Sequence, residues 1–175
     1  MEQLSQPPAP TGIIRQLRPS DSSRFREHLL RLDPHSRRDR FNAAIDDDFV
    51  IGYAARCFAD GTAVVGYVEG EHVLGAAELH EKAGEAEPTG EIAFSVERHL
   101  QRRGIGSALF QRLIGHARGL GYTRLRVTTH PQNAAMRALA HRFGAHLSFR
   151  DGDTVGVNCL PPPQPLQTVS DGFVA

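Results

Sequence analysis

Residues 91–113 read EIAFSVERHLQRRGIGSALFQRL, a strand pattern followed by a glycine turn and a helix pattern. In the first six residues Ile92, Phe94 and Val96 fall on one side and their neighbours on the other, a period of two that predicts a strand. From Leu109 onward apolar residues recur at helical spacing, which predicts an amphipathic helix. A strand–turn–helix unit is therefore expected in the middle of the chain.

The glycine turn between the two elements has the composition of a phosphate-binding loop. A P-loop is excluded because serine and alanine follow Gly106, where a Lys-Ser/Thr pair is needed. A dinucleotide fingerprint fits poorly because Leu109 stands in place of its third glycine. The pattern Gln101-x-x-Gly104-x-Gly106 remains, whose backbone N–H groups and free helix N-terminus suit a pyrophosphate. An ordinary turn with two solvated arginines is the alternative that the turn alone leaves open.

The flanking sequence predicts the other elements by periodicity and turn residues. Strands are expected at 13–17, 62–70, 71–82 and 122–129, helices at 25–33, 33–45, 46–58 and 133–143, and a hairpin at 144–160 that turns at 151–153. Ser20 or Asp21 is positioned to cap the first helix. Phe49, Tyr53 and Cys57 repeat every four residues along the third helix. This order predicts an α/β fold with a mixed sheet flanked by helices.

Length and composition predict one domain at 13–160 with a tail at each end. The chain has 175 residues, of which 40% are apolar and 23% charged, an ordinary globular balance. Residues 1–12 are polar and proline-rich and are predicted to be a disordered tail, and residues 161–175 a proline-rich one. Cys57 and Cys159 match no metal-ligand spacing, so no metal is expected; they are interpreted as two buried free thiols, with a disulfide as the alternative.

Charge and hydropathy give no support for a nucleic-acid or a membrane partner. Lysine plus arginine total 20 and aspartate plus glutamate total 20, so net charge gives no argument for nucleic acid. The N-terminus lacks the basic and apolar regions of a signal peptide, and no stretch approaches the roughly 20 apolar residues that span a bilayer. A cytoplasmic protein without a nucleic-acid or membrane partner is expected, and the sequence is compatible with a homodimer.

The run from Glu91 to Ala145 resembles the Gcn5-related N-acetyltransferase (GNAT) superfamily. The strand, the Gln101–Gly106 loop, the amphipathic helix and the next helix, opening with Asn133-x-x-Met136, stand in the order and spacing of that family. The resemblance implies a mixed, mostly antiparallel central sheet flanked by helices. It also implies a β–loop–α site for the pyrophosphate of acetyl-CoA, which would be the acetyl donor.

By this resemblance the strand gives backbone groups to the pantetheine arm, and the loop wraps the pyrophosphate. The residues implied are Phe94, Ser95, Val96, Gln101, Arg102, Arg103, Gly104, Ile105, Gly106, Ser107 and Asn133. Arg102 and Arg103 can instead meet the 3′-phosphate of CoA or only solvent. Asn133 is also a suitable helix N-cap, and the two roles are compatible.

Acetyl transfer to an amine requires a group that removes a proton from the amine. Glu91 is the predicted general base, because an acid stands at this place in a subgroup of the family that acetylates protein lysines. A solvated carboxylate at a strand end is the alternative, and Glu78 and His80 on the preceding strand are reserves. The developing oxyanion would be stabilised by backbone N–H groups of the same strand.

One position departs from the family pattern. Many members carry a tyrosine four residues before the glycine of a Gly-Phe pair, which protonates the leaving thiolate. Here Gly144 is followed by alanine, and Ala140 occupies the tyrosine position. His141, His130 or water would have to serve, or the thiolate leaves without a proton donor.

The N-terminal half also resembles the lysine-acetylating subgroup. The segment LLRLDPHSRRDRF places Leu32, Ser36, Arg40 and Phe41 as in its Leu-Ser-x-x-Ser-x-x-x-Arg-Phe motif, with Asp33 replacing the first serine. The acceptor is therefore expected to be a primary amine, on a protein lysine or on a small molecule. Transfer of another acyl group, and sensing of acetyl-CoA without turnover, are the alternatives.

Overall fold

The computed structural model describes residues 10–161, which form a seven-stranded sheet with helices on both faces. Its strands are β1 (Ile13–Gln16), β2 (Ala63–Glu69), β3 (His72–Glu81), β4 (Thr89–Val96), β5 (Arg124–Thr129), β6 (His146–Arg150) and β7 (Asp153–Cys159). Its helices are α1 (Ser22–Arg31), α2 (Pro34–Phe41), α3 (Asp47–Ala59), α4 (Ile105–Gly119) and α5 (Ala134–Arg142). Most of the two predicted tails lies outside the described residues.

The sheet is mixed and mostly antiparallel, as predicted. The strand order is β1-β2-β3-β4-β5-β7-β6, and every neighbouring pair is antiparallel except β4 and β5. The parallel pair needs a crossover, and α4 supplies it. The glycine turn therefore lies at the one point where the sheet changes from antiparallel to parallel pairing.

The parallel pairing between β4 and β5 is short. It covers three residue pairs and ends at Glu91, which pairs with Arg126. β4 nevertheless continues to Val96 alongside β3, and β5 continues to Thr129 alongside β7. Beyond Glu91 the facing edges of the two strands carry no ladder within the described chain, so their N–H and C=O groups are available to another partner.

Two apolar clusters cover the two faces of the sheet. One packs α4 and α5 against side chains such as Leu79 and Leu125, and the other packs α1 and α3 against Val64 and Ala76. β2 is consequently buried on both faces along most of its length. In β4, Ile92 belongs to the α4 side, and the residues next to it in sequence face the opposite helices.

The buried residues of α3 coincide only in part with the repeat of Phe49, Tyr53 and Cys57 noted in the sequence. Val50, Ala54 and Cys57 are buried, whereas Phe49 is 44% exposed. A step of four residues advances about 40° beyond a full helical turn, so Phe49 lies about 80° from Cys57, at the margin of the face that contains it. The combination of steps of four and three from Val50 follows the helix more closely.

Two further sequence predictions were wrong in part. Cys159 is exposed, because its neighbours Asn158 and Leu160 are buried and alternation turns its side chain outward. Asp21 stands at the N-cap position of α1 but does not cap the helix. Its carboxylate binds the guanidinium of Arg15 at 2.8 Å instead.

A buried ion pair ties α2 and α3 to β3. Arg40 donates to Glu78 Oε1 at 2.6 Å, and the Tyr53 hydroxyl donates to Glu78 Oε2 at 2.5 Å. His80 Nε2 lies 3.2 Å from the same carboxylate oxygen. Burial alone would raise the pKa of Glu78, but the Arg40 charge and the His80 hydrogen bond outweigh it and hold this pKa at about 2.

Replacing Glu78 with glutamine should destabilise the fold by about 3–5 kcal/mol, because the Arg40 charge would remain buried without its counter-ion. Urea unfolding followed by circular dichroism measures this loss. Replacing both members of the pair with apolar residues of similar volume should cost less than the single change. An unchanged free energy of unfolding in the glutamine variant would contradict this role.

The same pair predicts how stability responds to acid. The pKa of Glu78 is about 2 in the fold and 4.5 when unperturbed. Its contribution is therefore fully present above pH 4.5 and disappears as the pH falls towards 2. Between these pH values the free energy of unfolding should change less with pH for Glu78→Gln than for the wild type. The same pH dependence in both proteins would contradict the assignment.

Candidate active site

A cavity of about 700 Å³ lies between the end of β4, the start of α4, and helices α2 and α5. Nine of the residues predicted to hold the donor line it: Phe94, Ser95, Val96, Gln101, Arg102, Gly104, Gly106, Ser107 and Asn133. Its wall thus includes the unpaired end of β4 and the glycine turn. The remaining lining residues come from α2, from α5 and from the short connections before α4 and α5.

Three predicted residues do not line the cavity. Ile105 is 4% exposed and belongs to the core beneath the turn. Arg103 is half-buried beside it, and Glu91 lies further back along β4, at the last residue pair with β5. The roles assigned to these three residues, like those of the nine above, remain predictions.

The glycine turn presents the N-terminus of α4 to the cavity. Gly104 is the N-cap residue, with φ of 82°, and it has no side chain to occupy the first N–H groups of the helix. Arg102 also has a positive φ, of 61°, which costs a non-glycine residue about 1–2 kcal/mol. Exposed helix N–H groups beside a positive side chain form a typical anion site. A pyrophosphate therefore fits this part of the wall.

Gln101 and Asn133 fix the backbone around the cavity. The Gln101 amide donates to the Val96 carbonyl at 2.9 Å and to Ser36 Oγ at 3.0 Å, so it links the end of β4 to α2. Asn133 caps α5, because its Oδ1 accepts from the Met136 N–H at 2.9 Å. Only the amide nitrogen of Asn133 is then left to donate to a ligand.

Sequence reasoning missed several lining residues. Arg142 reaches from the end of α5 and donates to Ser107 Oγ at 3.3 Å, which brings a second positive charge towards the start of α4. The helical spacing of Ala135, Leu139 and Arg142, all of which line the cavity, could have indicated it. On α2 the cavity is also lined by His35 and Asp39, in addition to Ser36 and Arg40.

Glu91 is half-buried on the face of β4 that carries α1 to α3. Thr128 of β5 donates to its Oε1 at 3.4 Å, and the ammonium of Lys82 lies 3.7 Å from its Oε2. His80 is its direct partner across the β3–β4 ladder. The carboxylate therefore stands where β4 and β5 separate, with one side open to solvent.

The tyrosine position of the family offers no proton donor here. Ala140 is 1% exposed and packs in the core. Within the described residues, those of α5 that line the cavity carry no hydroxyl or thiol group. Neither His130 nor His141 lines the cavity. Of the alternatives named from the sequence, water and departure of the thiolate without a donor remain.

Three ligand-type side chains meet although no metal was expected. Potential ligand atoms of Cys57, Glu78 and His80 lie within 4.8 Å of one another. The Arg40 guanidinium already supplies positive charge to Glu78, and burial raises the pKa of the Cys57 thiol to about 12. Hydrogen bonds and charge balance explain this cluster without an ion.

Comparison with known proteins agrees with this geometry. A sequence profile described as the Acetyltransferase (GNAT) family matches residues 14–145. The chain belongs to the GNAT acetyltransferase family. It is accordingly an acetyl-CoA-dependent N-acetyltransferase by family, and its acceptor is not given by this match. No curated protein sequence matches the chain.

Solved GNAT structures share the fold at low sequence identity. The GNAT domain of S. lividans PAT is 22% identical, with a TM-score of 0.72 over 85% of this chain and 90% of that one. YncA from Salmonella typhimurium, solved with acetyl-CoA, is 20% identical, with a TM-score of 0.63 over 88% and 96%. A phosphinothricin acetyltransferase from Sinorhizobium meliloti, in complex with acetyl-CoA, is 17% identical, with a TM-score of 0.63 over 94% and 98%.

Between residues 10 and 161 no helix is long and apolar enough to cross a membrane.

The glycine turn provides a test with a matched control. Gly104 and Gly84 have φ values of 82° and 83°, and an added Cβ would meet nothing within 4 Å at either position. Alanine at either position should therefore cost a similar strain, about 1–2 kcal/mol. Only Gly104→Ala should also weaken CoA binding, by about tenfold, because Gly104 lines the cavity at the predicted pyrophosphate site and Gly84 does not line it.

Calorimetric titration with CoA and urea unfolding of both variants separate the two effects. Equal CoA affinity in the Gly104 and Gly84 variants would contradict the phosphate role of the turn.

Proposed function

We propose that this enzyme transfers the acetyl group of acetyl-CoA directly to a primary amine, with Glu91 as the general base. The observation that carries the proposal is the unpaired end of β4 beside the uncovered N-terminus of α4. One cavity joins these two features, in a chain of the GNAT acetyltransferase family. A protein lysine or a small-molecule amine is the acceptor.

The donor would lie along the two halves of the cavity wall. An amide-containing pantetheine arm suits the edge of β4 from Ile92 to Val96, because the backbone groups there that face β5 have no ladder partner. The Val96 carbonyl is the exception, since it accepts from Gln101. The pyrophosphate suits the start of α4, with Arg102 and Arg142 as nearby positive charges. The thioester would then stand near the middle of the unpaired stretch.

The chemistry requires stabilisation of an oxyanion and removal of a proton. N–H groups on the free edge of β4 would stabilise the oxyanion. Glu91 would accept the proton of the amine. A strand rises about 3.3 Å per residue, so Glu91 lies about 13 Å along the strand from Ser95, and water must carry the proton part of the way.

The reserve bases are less suited to this task. Both carboxylate oxygens of Glu78 are occupied by Arg40 and Tyr53, and its pKa of about 2 makes it a weak base. The two ring nitrogens of His80 lie 3.1 Å from Thr62 Oγ1 and 3.1 Å from the Tyr53 hydroxyl. Glu91 keeps an open side, which favours it.

A protein lysine is supported by the segment that contains α2. Asp33, which replaces the first serine of the motif, caps that helix by accepting from the N–H groups of His35 and Ser36, and serine is also a favoured N-cap residue. Ser36 and Arg40 line the cavity, and Gln101 binds Ser36. The segment is therefore positioned to shape the acceptor entrance. The S. lividans PAT domain resembles this chain in fold, which supports the subgroup only at that level.

An acetyl-CoA sensor is the second candidate function. The observation that favours it is the buried Ala140 in place of the tyrosine donor. Absence of turnover with a wide panel of amines and lysine peptides, together with tight CoA binding, would favour the sensor over the enzyme.

Binding of CoA should stabilise the folded state. At a CoA concentration of 100 times Kd the gain is about 2.7 kcal/mol. Thermal unfolding with increasing CoA or acetyl-CoA measures it, and adenosine serves as the control ligand without pyrophosphate. No rise of Tm at millimolar acetyl-CoA would contradict the donor site.

Glu91→Gln should lower kcat by about 10²–10⁴-fold, since glutamine cannot accept the proton of the amine. The affinity for CoA should stay close to that of the wild type, because Glu91 lies outside the cavity wall. Glu87→Gln is the matched control, an exposed carboxylate paired with Arg124. Steady-state kinetics with an accepted amine decide the matter, and equal kcat in both variants would exclude Glu91 as the base.

A further inference from the structure

A buried chain of side chains joins α1 to the end of β4. Ser95 Oγ lies 2.8 Å from His28 Nε2, and His28 Nδ1 lies 3.3 Å from Glu97 Oε1. Arg31 donates to the same Glu97 oxygen from 3.0 Å. The order is hydroxyl, imidazole and carboxylate, each within or close to hydrogen-bond distance of the next, which is the arrangement that activates a serine nucleophile.

Burial fixes the direction of these hydrogen bonds. His28 is fully buried, and burial lowers its pKa although the Glu97 hydrogen bond acts in the opposite direction. A neutral imidazole that donates from Nδ1 to Glu97 leaves the Nε2 lone pair to accept the Ser95 hydroxyl proton. The carboxylate would also stabilise the imidazolium that forms when this proton arrives.

The serine end of the chain opens on the donor cavity. Ser95 is one of the cavity-lining residues, although only 6% of its surface is exposed. It lies within the stretch of β4 that has no β5 partner, beside the backbone N–H groups that would stabilise an oxyanion. The other cavity-lining hydroxyls have different partners: Ser36 donates to Asp33 at 2.7 Å, and Ser107 accepts from Arg142 at 3.3 Å. His35 and Asp39 also line the cavity, 3.5 Å apart, but no hydroxyl bonds to that imidazole among the described residues.

We propose that Ser95, His28 and Glu97 form a second catalytic set that hydrolyses bound acyl-CoA through an acyl-serine when no amine is present. The inference rests on the proposed donor site, because the thioester must lie beside Ser95. It differs from amine acetylation in its acceptor, which is water, and in its covalent intermediate.

The reaction balances in two steps. Ser95 Oγ bonds to the thioester carbonyl carbon, the C–S bond breaks, and the Ser95 proton passes through His28 to the departing thiolate, which leaves CoA and an ester on Ser95. Water then attacks the ester carbonyl while His28 takes one of its protons and returns it to Ser95 Oγ. The products are a carboxylic acid, CoA and the original enzyme.

The experiment measures release of free thiol from acetyl-CoA by the full-length protein without any amine. Wild-type protein should release thiol well above the rate of the buffer. Ser95→Ala should lower this rate by at least about tenfold, and Glu97→Gln should lower it by about tenfold or more. Ser148→Ala is the control, since its hydroxyl bonds to the Val155 carbonyl in β6 and β7, outside the cavity.

The acyl-enzyme gives a readout that a purely structural role of these side chains would not move. Protein quenched in acid during turnover should carry one acetyl group on the tryptic peptide of residues 83–98, which contains Ser95 and no lysine. The peptide from Ser95→Ala should remain unmodified. Since His28 is fully buried and its variants can fail to fold, Ser95 and Glu97 carry the test.

The outcomes separate this inference from the proposed function. If CoA does not raise Tm, the donor site and the inference are both wrong. If CoA binds but thiol release equals that of the buffer, or Ser95→Ala releases thiol as fast as the wild type, only the second catalytic set is wrong. An acetyl group found on a residue of that peptide other than Ser95 would also overturn it.

Discussion

The structure depends on the separation of β4 from β5 after Glu91. A strand edge in a folded protein normally finds a partner, because an unpaired buried N–H or C=O group costs about 1–3 kcal/mol. Here β4 keeps β3 on one side and β5 keeps β7, and no ladder joins the facing edges from Ile92 onward, although the Val96 carbonyl accepts from Gln101. The gap is tolerable because it borders a cavity that water or an amide-bearing ligand can enter.

Buried polar contacts hold the gap open from the side of α1 to α3. Arg40 and Tyr53 fix Glu78 on β3, while His28 and Arg31 fix Glu97 just after β4. A second Arg31 hydrogen bond, to the Val73 carbonyl, joins β3 to the same set at 2.8 Å. These contacts bind β3 and β4 to the helices as one layer. Movement of β4 towards β5 would break the Glu97 contacts with His28, which is buried, and with Arg31, which is partly exposed.

On the other face of the sheet, stacked aromatic side chains fix the end of β4 against the helices. Phe94 stacks on Phe110 of α4, with ring centroids 5.2 Å apart, and Phe110 stacks on Phe143, which follows α5, at 4.3 Å. This column connects the end of β4 to both helices that border the cavity. The start of α4 is thereby held at a fixed position relative to the free strand edge, as a ligand that bridges the two would need.

Periodicity predicted most of the elements, because alternation and helical spacing are local properties of the sequence. The glycine turn could also be predicted, because its left-handed backbone at Gly104 is a conformation that glycine adopts readily. Features that depend on partners distant in the sequence could not be predicted in this way. The end of the β4–β5 ladder at Glu91 leaves no mark in EIAFSV, and the repeat of Phe49, Tyr53 and Cys57 does not show that Val50 is buried and Phe49 exposed.

His28 illustrates the same limit within the site. In sequence it is one histidine among nine, on a helix whose buried face also contains Phe25 and Leu29. A structural role is the ordinary interpretation of such a residue. Its possible chemistry becomes visible only when the sheet brings Ser95 and Glu97 to its two nitrogens. Both reactions considered for this enzyme would then use one strand edge, with its N–H groups stabilising the same oxyanion. The two reactions would differ in which nucleophile reaches the carbonyl from the helix-covered face, so occupancy of the acceptor entrance would decide between transfer and hydrolysis.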